Sequence, residues 1–181
     1  MKKASLLSTV LALVFVSSSA FAQFTPSQMV AEWQRAKLYT KAYLDAMPED
    51  GYGFKPTPEI RSFAQQMLHL SDANYIFASV ASDKPNPVGE TLATHNVNEK
   101  TVSPTKEATT KAVMDSYDWV ISTLQNITPD QWQEVTKFGK HDNITRSGLF
   151  GKAFEHQTHQ RGQTTIYLRL KGVTPPAEVL F

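Results

Sequence analysis

Residues 149–170 read LFGKAFEHQTHQRGQTTIYLRL, and this stretch decides the fold. Leu149, Ala153, His156, Gln160, Gln163, Tyr167 and Leu170 recur at alternating spacings of four and three, the pattern of one helix face turned toward other helices. The seam is apolar at its ends and polar in its middle. Hydrogen-bonding side chains on an inward face are costly unless something opposite satisfies them. The pattern therefore predicts a metal, a ligand or ordered water facing His156, Gln160 and Gln163. Thr145 is placed to cap this helix, and Gly172, with Pro175-Pro176 beyond, to end it near Lys171.

Upstream of it, Glu134 to Asn143 reads as extended or looped chain. Thr128-Pro129-Asp130-Gln131 is a capping box for a short helical turn. Ser103-Pro104 marks the start of another helix, whose stripe is Val113, Tyr117, Val120 and Leu124, with Met114 and Ile121 beside it. Residues Ser82 to Val102, with Pro85, Pro87 and Gly89, form a long connection. Before it, a helix from about Glu59 to Ala81 carries Ile60, Phe63, Met67, Leu68, Leu70, Tyr75, Ile76 and Phe77, apolar on most sides and hence central. The first helix opens at Thr25-Pro26, buries Met29, Trp33, Ala36, Thr40, Tyr43 and Met47, and stops at Pro48. The expectation is an all-α fold: a four-helix bundle with a long connection between helices two and three, occupying residues 23–181 as one domain.

Met1 to Ala22 reads as a cleavable signal peptide: Lys2 and Lys3, an apolar run from Leu6 to Val16, then Ala20-Phe21-Ala22 as a small-x-small cleavage site. The run is too short for a membrane span, which needs ~20 residues. A periplasmic or secreted location is expected, with no membrane attachment after cleavage. The whole chain has 181 residues, 41% of them hydrophobic, which is ample for one core. It contains no cysteine, so an exported chain must hold together without disulfides. A formal charge of +1, with no run of Lys or Arg longer than two, argues against nucleic acid as a partner.

The same absence of cysteine excludes a thiol nucleophile, and there is no Gly-x-Ser-x-Gly elbow, phosphate loop or His-Glu-x-x-His. Histidine remains. His156 and Gln160 stand i, i+4 on one helical face, a spacing at which two histidines chelate a divalent ion and at which glutamine is a weaker ligand. His159 flanks that face. His69 lies in the least apolar part of the second helix, near Gln65, Gln66 and Asp72. Taken singly, His156 also reads as a hydrogen-bonded core histidine and His69 as one member of a polar patch. His95 and His141 fall in connecting segments and read as solvated.

Two stretches carry a resemblance: Pro58-Glu59-Ile60-Arg61-Ser62-Phe63 with Leu68-His69-Leu70-Ser71-Asp72-Ala73, and His156-Gln157-Thr158-His159-Gln160-Arg161-Gly162-Gln163 with Tyr167-Leu168-Arg169, Gly172 and Pro175-Pro176. Together they resemble the DinB/YfiT-like superfamily of metalloenzymes, over nearly all of the chain after residue 22. The resemblance implies a four-helix bundle with a zinc or nickel ion held by one histidine of helix two and two of helix four. Carried over by position, the ligands are His69, His156 and Gln160; the family pattern has histidine where Gln160 stands, and His159 is the substitute third ligand. It also implies a homodimer and a metal-dependent hydrolase or a transferase acting on low-molecular-weight thiols. Those thiols are cytosolic, so for an exported chain the substrate does not carry over. The alternative is a non-catalytic bundle that has lost its metal and binds a small molecule or a protein partner.

Overall fold

The computed structural model describes residues 24–89 and 91–181; the expected signal peptide lies outside them. Four long helices dominate: α1 (Pro26–Ala46), α2 (Phe63–Ser82), α4 (Lys106–Gln125) and α6 (Arg146–Leu170). Short helices α3 (Val97–Thr101) and α5 (Pro129–Gln133) lie in the connections, and an antiparallel hairpin of β1 (Val135–Phe138) and β2 (His141–Thr145) precedes α6. Helices α1 and α2 each pack against both α4 and α6, which closes the bundle. Among the described residues no helix is long and apolar enough to cross a membrane.

Local chemistry sets most boundaries. Thr25 caps α1 with Gln28 reaching back, and Pro26 fills the first position. All six residues of the expected α1 stripe are buried. Helix α2 starts four residues later than its apolar pattern suggested. Ser62 and Gln65 form a full capping box, and Ile60 stays outside the helix, 40% exposed. Similarly, α4 is capped by Thr105 rather than Ser103, since the Thr105 hydroxyl accepts from the Ala108 N–H. Helix α6 ends in a Schellman turn: Gly172 adopts φ 73°, its N–H bonds to Arg169 O, and the Val173 N–H bonds to Leu168 O.

Within α6 the expected seam holds at Leu149, Ala153, Gln160 and Tyr167, whereas Gln163 and Leu170 are exposed. The buried stripe instead runs through Phe150, Ala153, Gln157, Arg161, Thr164 and Leu168. The reason is helical period. A strict heptad drifts by roughly 20° per repeat on a straight helix with 3.6 residues per turn, so a seam aligned at Leu149 rotates outward toward Leu170. His156 consequently sits at the edge of the packed face, half-buried.

A polar network joins the helices at the centre of the bundle. Tyr117 of α4 donates to Gln157 Oε1 at 2.8 Å and meets the Thr40 hydroxyl of α1 at 2.7 Å. Arg161 donates to the same Gln157 oxygen at 2.8 Å, and its guanidinium lies 4.4 Å from the Tyr39 ring centroid. Replacing Tyr117 with Phe removes the donor to Gln157 without changing the packing volume. We expect a loss of about 1–3 kcal/mol of unfolding free energy, read as a lower urea midpoint at an unchanged m-value.

Candidate metal centre

Helix α2 presents His69 and Gln66 three residues apart, and α6 presents His156 and Gln160 four apart, on facing surfaces. The two imidazoles meet edge to face with ring centroids 5.4 Å apart. The Gln160 amide N–H donates to His156 Nε2 at 3.1 Å, and Gln160 Oε1 accepts from the Gln66 amide. Thus the structure brings together His69, His156 and Gln160. His159 is exposed and bonded to Gln163 through its Nε2, 2.6 Å away. His95 lies exposed in the long connection and His141 exposed at the start of β2.

The long connection supplies what the helices lack. Asp72 of α2 accepts the N–H groups of Asn98 at 2.8 Å and Glu99 at 3.0 Å, which docks α3 on α2. Docking brings Asn96 and Glu99 beside His69. Asn96 Oδ1 lies 2.9 Å from His69 Nδ1, and Glu99 Oε2 lies 3.8 Å from the same nitrogen. Asn96 as acceptor places the His69 proton on Nδ1 and frees the lone pair of Nε2. Glu99 in turn accepts from Arg61 Nε at 2.9 Å. Sequence reasoning missed Asn96 and Glu99 because they reach the site through a tertiary contact rather than a helical spacing.

Both imidazoles are held neutral. Burial lowers the His69 pKa, partly offset by the bond to Asn96, while the positive charge of Arg61 adds to the lowering. His156 is pushed down to about 4, first by burial and then by the charges of His69, His159 and Arg61. With Nε2 accepting from Gln160, its proton sits on Nδ1, which is buried without a hydrogen-bond partner. Among the described residues no three His, Cys, Asp or Glu side chains gather as a metal-binding group. The available donors are therefore two neutral imidazoles and one amide oxygen, a set that fits a borderline ion such as zinc or nickel, held more weakly than by three histidines.

A family model described as the DinB family matches residues 17–179. The uncharacterized protein YjoA of Bacillus subtilis strain 168 is 24% identical over 157 residues, covering 82% of this chain and 92% of that protein. A crystal structure of a DinB-like protein from Bacillus cereus ATCC 10987 superposes with a TM-score of 0.74 at 17% identity, over 87% of this chain and all of that one. The crystal structure of Bacillus subtilis YjoA gives a TM-score of 0.62 at 20% identity, over 85% of this chain and 96% of that one.

A neutral buried histidine makes stability depend on pH in a definite direction. The unfolded ring titrates near 6.5 and the folded ring near 4, so the unfolded state takes up the proton first as pH falls. The neutral ring's contribution is complete above pH 6.5 and is lost progressively toward pH 4. Asp72 opposes this trend. Burial raises its pKa from 3.8 to about 6, so the folded state gains relative stability as pH drops through that range. In chelator-treated protein, His156→Gln should remove the His156 share of the first trend and leave that of His69 and the opposing one of Asp72. The fall in melting temperature from pH 7 to pH 5 should be smaller in the variant than in the parent; equal slopes would place the titration elsewhere.

Proposed function

The chain belongs to the DinB family, and we propose that it is a metal-dependent hydrolase or transferase whose divalent ion is held by His69, His156 and Gln160. One observation carries the reading: two imidazoles from facing helices stand 5.4 Å apart, and burial lowers the pKa of both. Adjacent neutral imidazoles offer lone pairs to a cation where two protonated ones would repel. A zinc or nickel ion supplies Lewis acidity, lowering the pKa of a water or thiol nucleophile.

The chain's own residues do the positioning. Asn96 fixes the His69 tautomer, and Glu99, anchored by Arg61, backs the same ring. Gln160 contributes its amide oxygen when the amide turns over, a rotation that gives up its bonds to His156 and Gln66 without moving the backbone. His159, exposed on the adjacent face, is the substitute ligand only if the side chain swings from Gln163. The competing reading is a non-catalytic bundle that binds a small molecule or a protein partner. It is favoured by the hydrogen bonds that already occupy both ends of the Gln160 amide.

Zinc and nickel titration by calorimetry separates the two readings. The parent should bind one ion per chain, and His69→Ala or His156→Ala should each weaken binding at least about tenfold, by loss of one imidazole from the donor set. Gln160→His should tighten binding and raise the melting temperature when the ion is added, while His159→Ala should change little. No heat of binding in either the parent or Gln160→His would leave the non-catalytic bundle.

The family resemblance also leads us to propose a homodimer, and the amino-terminal pattern an exported protein. Material recovered from a periplasmic or secreted fraction should begin at Gln23 by intact-mass measurement. An intact Met1 there would remove the export reading.

A further inference from the structure

A cavity of about 700 Å3 opens next to Gln66 and Glu99, of a size that holds a small molecule. Arg61, Gln66, Gln163, Ile60, Ile166 and Tyr167 line it. Gln66 connects it to the centre, because the amide that faces the cavity also bonds Gln160. From this arrangement we infer that the cavity takes small molecules by an oxyanion, carboxylate or phosphate, seated on Arg61, with an apolar body against Ile60 and Ile166. The inference deepens the metal-dependent reading by naming a substrate class, and rests on that reading only for the reaction that follows binding.

Arg61 carries the argument. Its guanidinium is held from one side only, by the bond from Nε to Glu99 Oε1. Among the described residues its NH1 and NH2 groups make no hydrogen bond, so one edge of the planar fork is left to the cavity. That edge presents two N–H donors in the geometry that matches a carboxylate or a phosphate. The backbone beneath it is fixed, since the Tyr167 hydroxyl donates to Arg61 O at 2.8 Å. Glu59, on the same rim, makes no hydrogen bond or ion pair with Arg61, whose carboxylate partner is Glu99. A preset guanidinium requires little ordering on binding, which favours affinity.

The remaining walls specify the rest of the ligand. Ile60 and Ile166 are 40% and 56% exposed, large apolar side chains on the rim of a cavity that Pro56 and the carboxylates of Glu59 and Glu99 also line. Exposed singly they would need no explanation. Flanking an open arginine fork, they select an anion that carries an apolar body over a bare inorganic one. Gln66 and Gln163 offer amide donors and acceptors between the two.

The test uses three probes that share a branched alkyl body, the first two matched in shape, followed by NMR titration of the full chain with chelator present: N-acetyl-leucine, N-acetyl-leucinamide and isopentyl phosphate. In the parent, at least one of the two anions should bind about tenfold or more tighter than the neutral amide, as charge-assisted fork contacts predict. The tighter of the two identifies the oxyanion. Arg61→Gln should bring the anions down to the level of the amide, and Ile166→Ala should weaken all three probes alike. If Arg61→Gln melts early, Arg61→Lys serves instead: it keeps the charge without the fork and should lose part of the preference. Equal binding of the anions and the amide overturns the inference, as does failure of all three to bind, or anion affinity unchanged in both Arg61 variants. Because chelator is present throughout, absence of zinc or nickel binding leaves these outcomes untouched, and the two readings fail separately.

Discussion

The structure depends on a constraint that α6 imposes on its neighbours: its central turns bury Gln157, Gln160, Arg161 and Thr164 among the helices. Each such group must find a partner or lose the hydrogen bonds it had in water. The partners come from all three other long helices. Tyr117 of α4 donates to Gln157 and bonds Thr40 of α1, Thr40 also accepts from Arg161 at 3.3 Å, and Gln66 of α2 answers Gln160. Apolar packing tolerates sliding by part of a turn; this network does not, because a displaced helix would strand several buried groups together. Arg161 is the extreme case, a buried guanidinium whose hydrogen bonds go to neutral oxygens and whose face rests on Tyr39.

That constraint also locates the site. With Gln157 and Arg161 directed into the centre, His156 and Gln160 fall toward α2, where His69 and Gln66 stand at matching height. The imidazoles are near the edge of the packed face, buried enough to be neutral yet beside open space. On the far side of His69, a cavity of about 270 Å3 is lined mainly by Ile76, Phe77, Leu92 and Phe138. There Phe138 of the hairpin stacks on Phe77 at 4.6 Å, and the Phe77 ring lies 5.9 Å from His156. The apolar flank helps to keep water off the rings, and Arg61 stands on the polar flank. A low-dielectric wall facing a fixed cation is an environment that holds imidazole unprotonated.

Much of this could be read from the chain because its signals are local. The α1 and α4 stripes and the caps at Thr25, Thr128 and Thr145 depend on neighbours within a turn or two, and each formed as the residue pattern indicates. The pairing of His69 with His156 followed from family position rather than spacing. Two things were hidden. One was the phase of α6, because four-three spacings describe a supercoiled seam while a straight helix turns 3.6 residues at a time, which left Gln163 and Leu170 in solvent. The other was the long connection. Nothing near Asn96 or Glu99 in sequence indicates that Asp72, a turn beyond His69, accepts the α3 N–H groups and brings both side chains to that ring. A carboxylate on the more polar face of α2 reads as solvated until the segment it captures is known.

Gln160, where the family resemblance implies a histidine, is informative for the same reason. Glutamine at this position is a member of a chain of bonds running from Gln66 through Gln160 to His156. A histidine there would offer a stronger lone pair to a metal but could not both accept from Gln66 and donate to His156 in the same way. Compared with histidine, glutamine at this position gives up donor strength and keeps the buried network continuous. In the metal-free chain the amide keeps α2 and α6 joined across the site. Any ion that enters must compensate for the bonds it displaces, so its affinity reflects the difference between coordination and the hydrogen bonds already present. A site of this kind is held together by its own hydrogen bonds, whereas one made of three histidines would leave lone pairs crowded and unsatisfied in the absence of an ion. The cavity beside Arg61 can thus keep its shape whether or not the ion is bound.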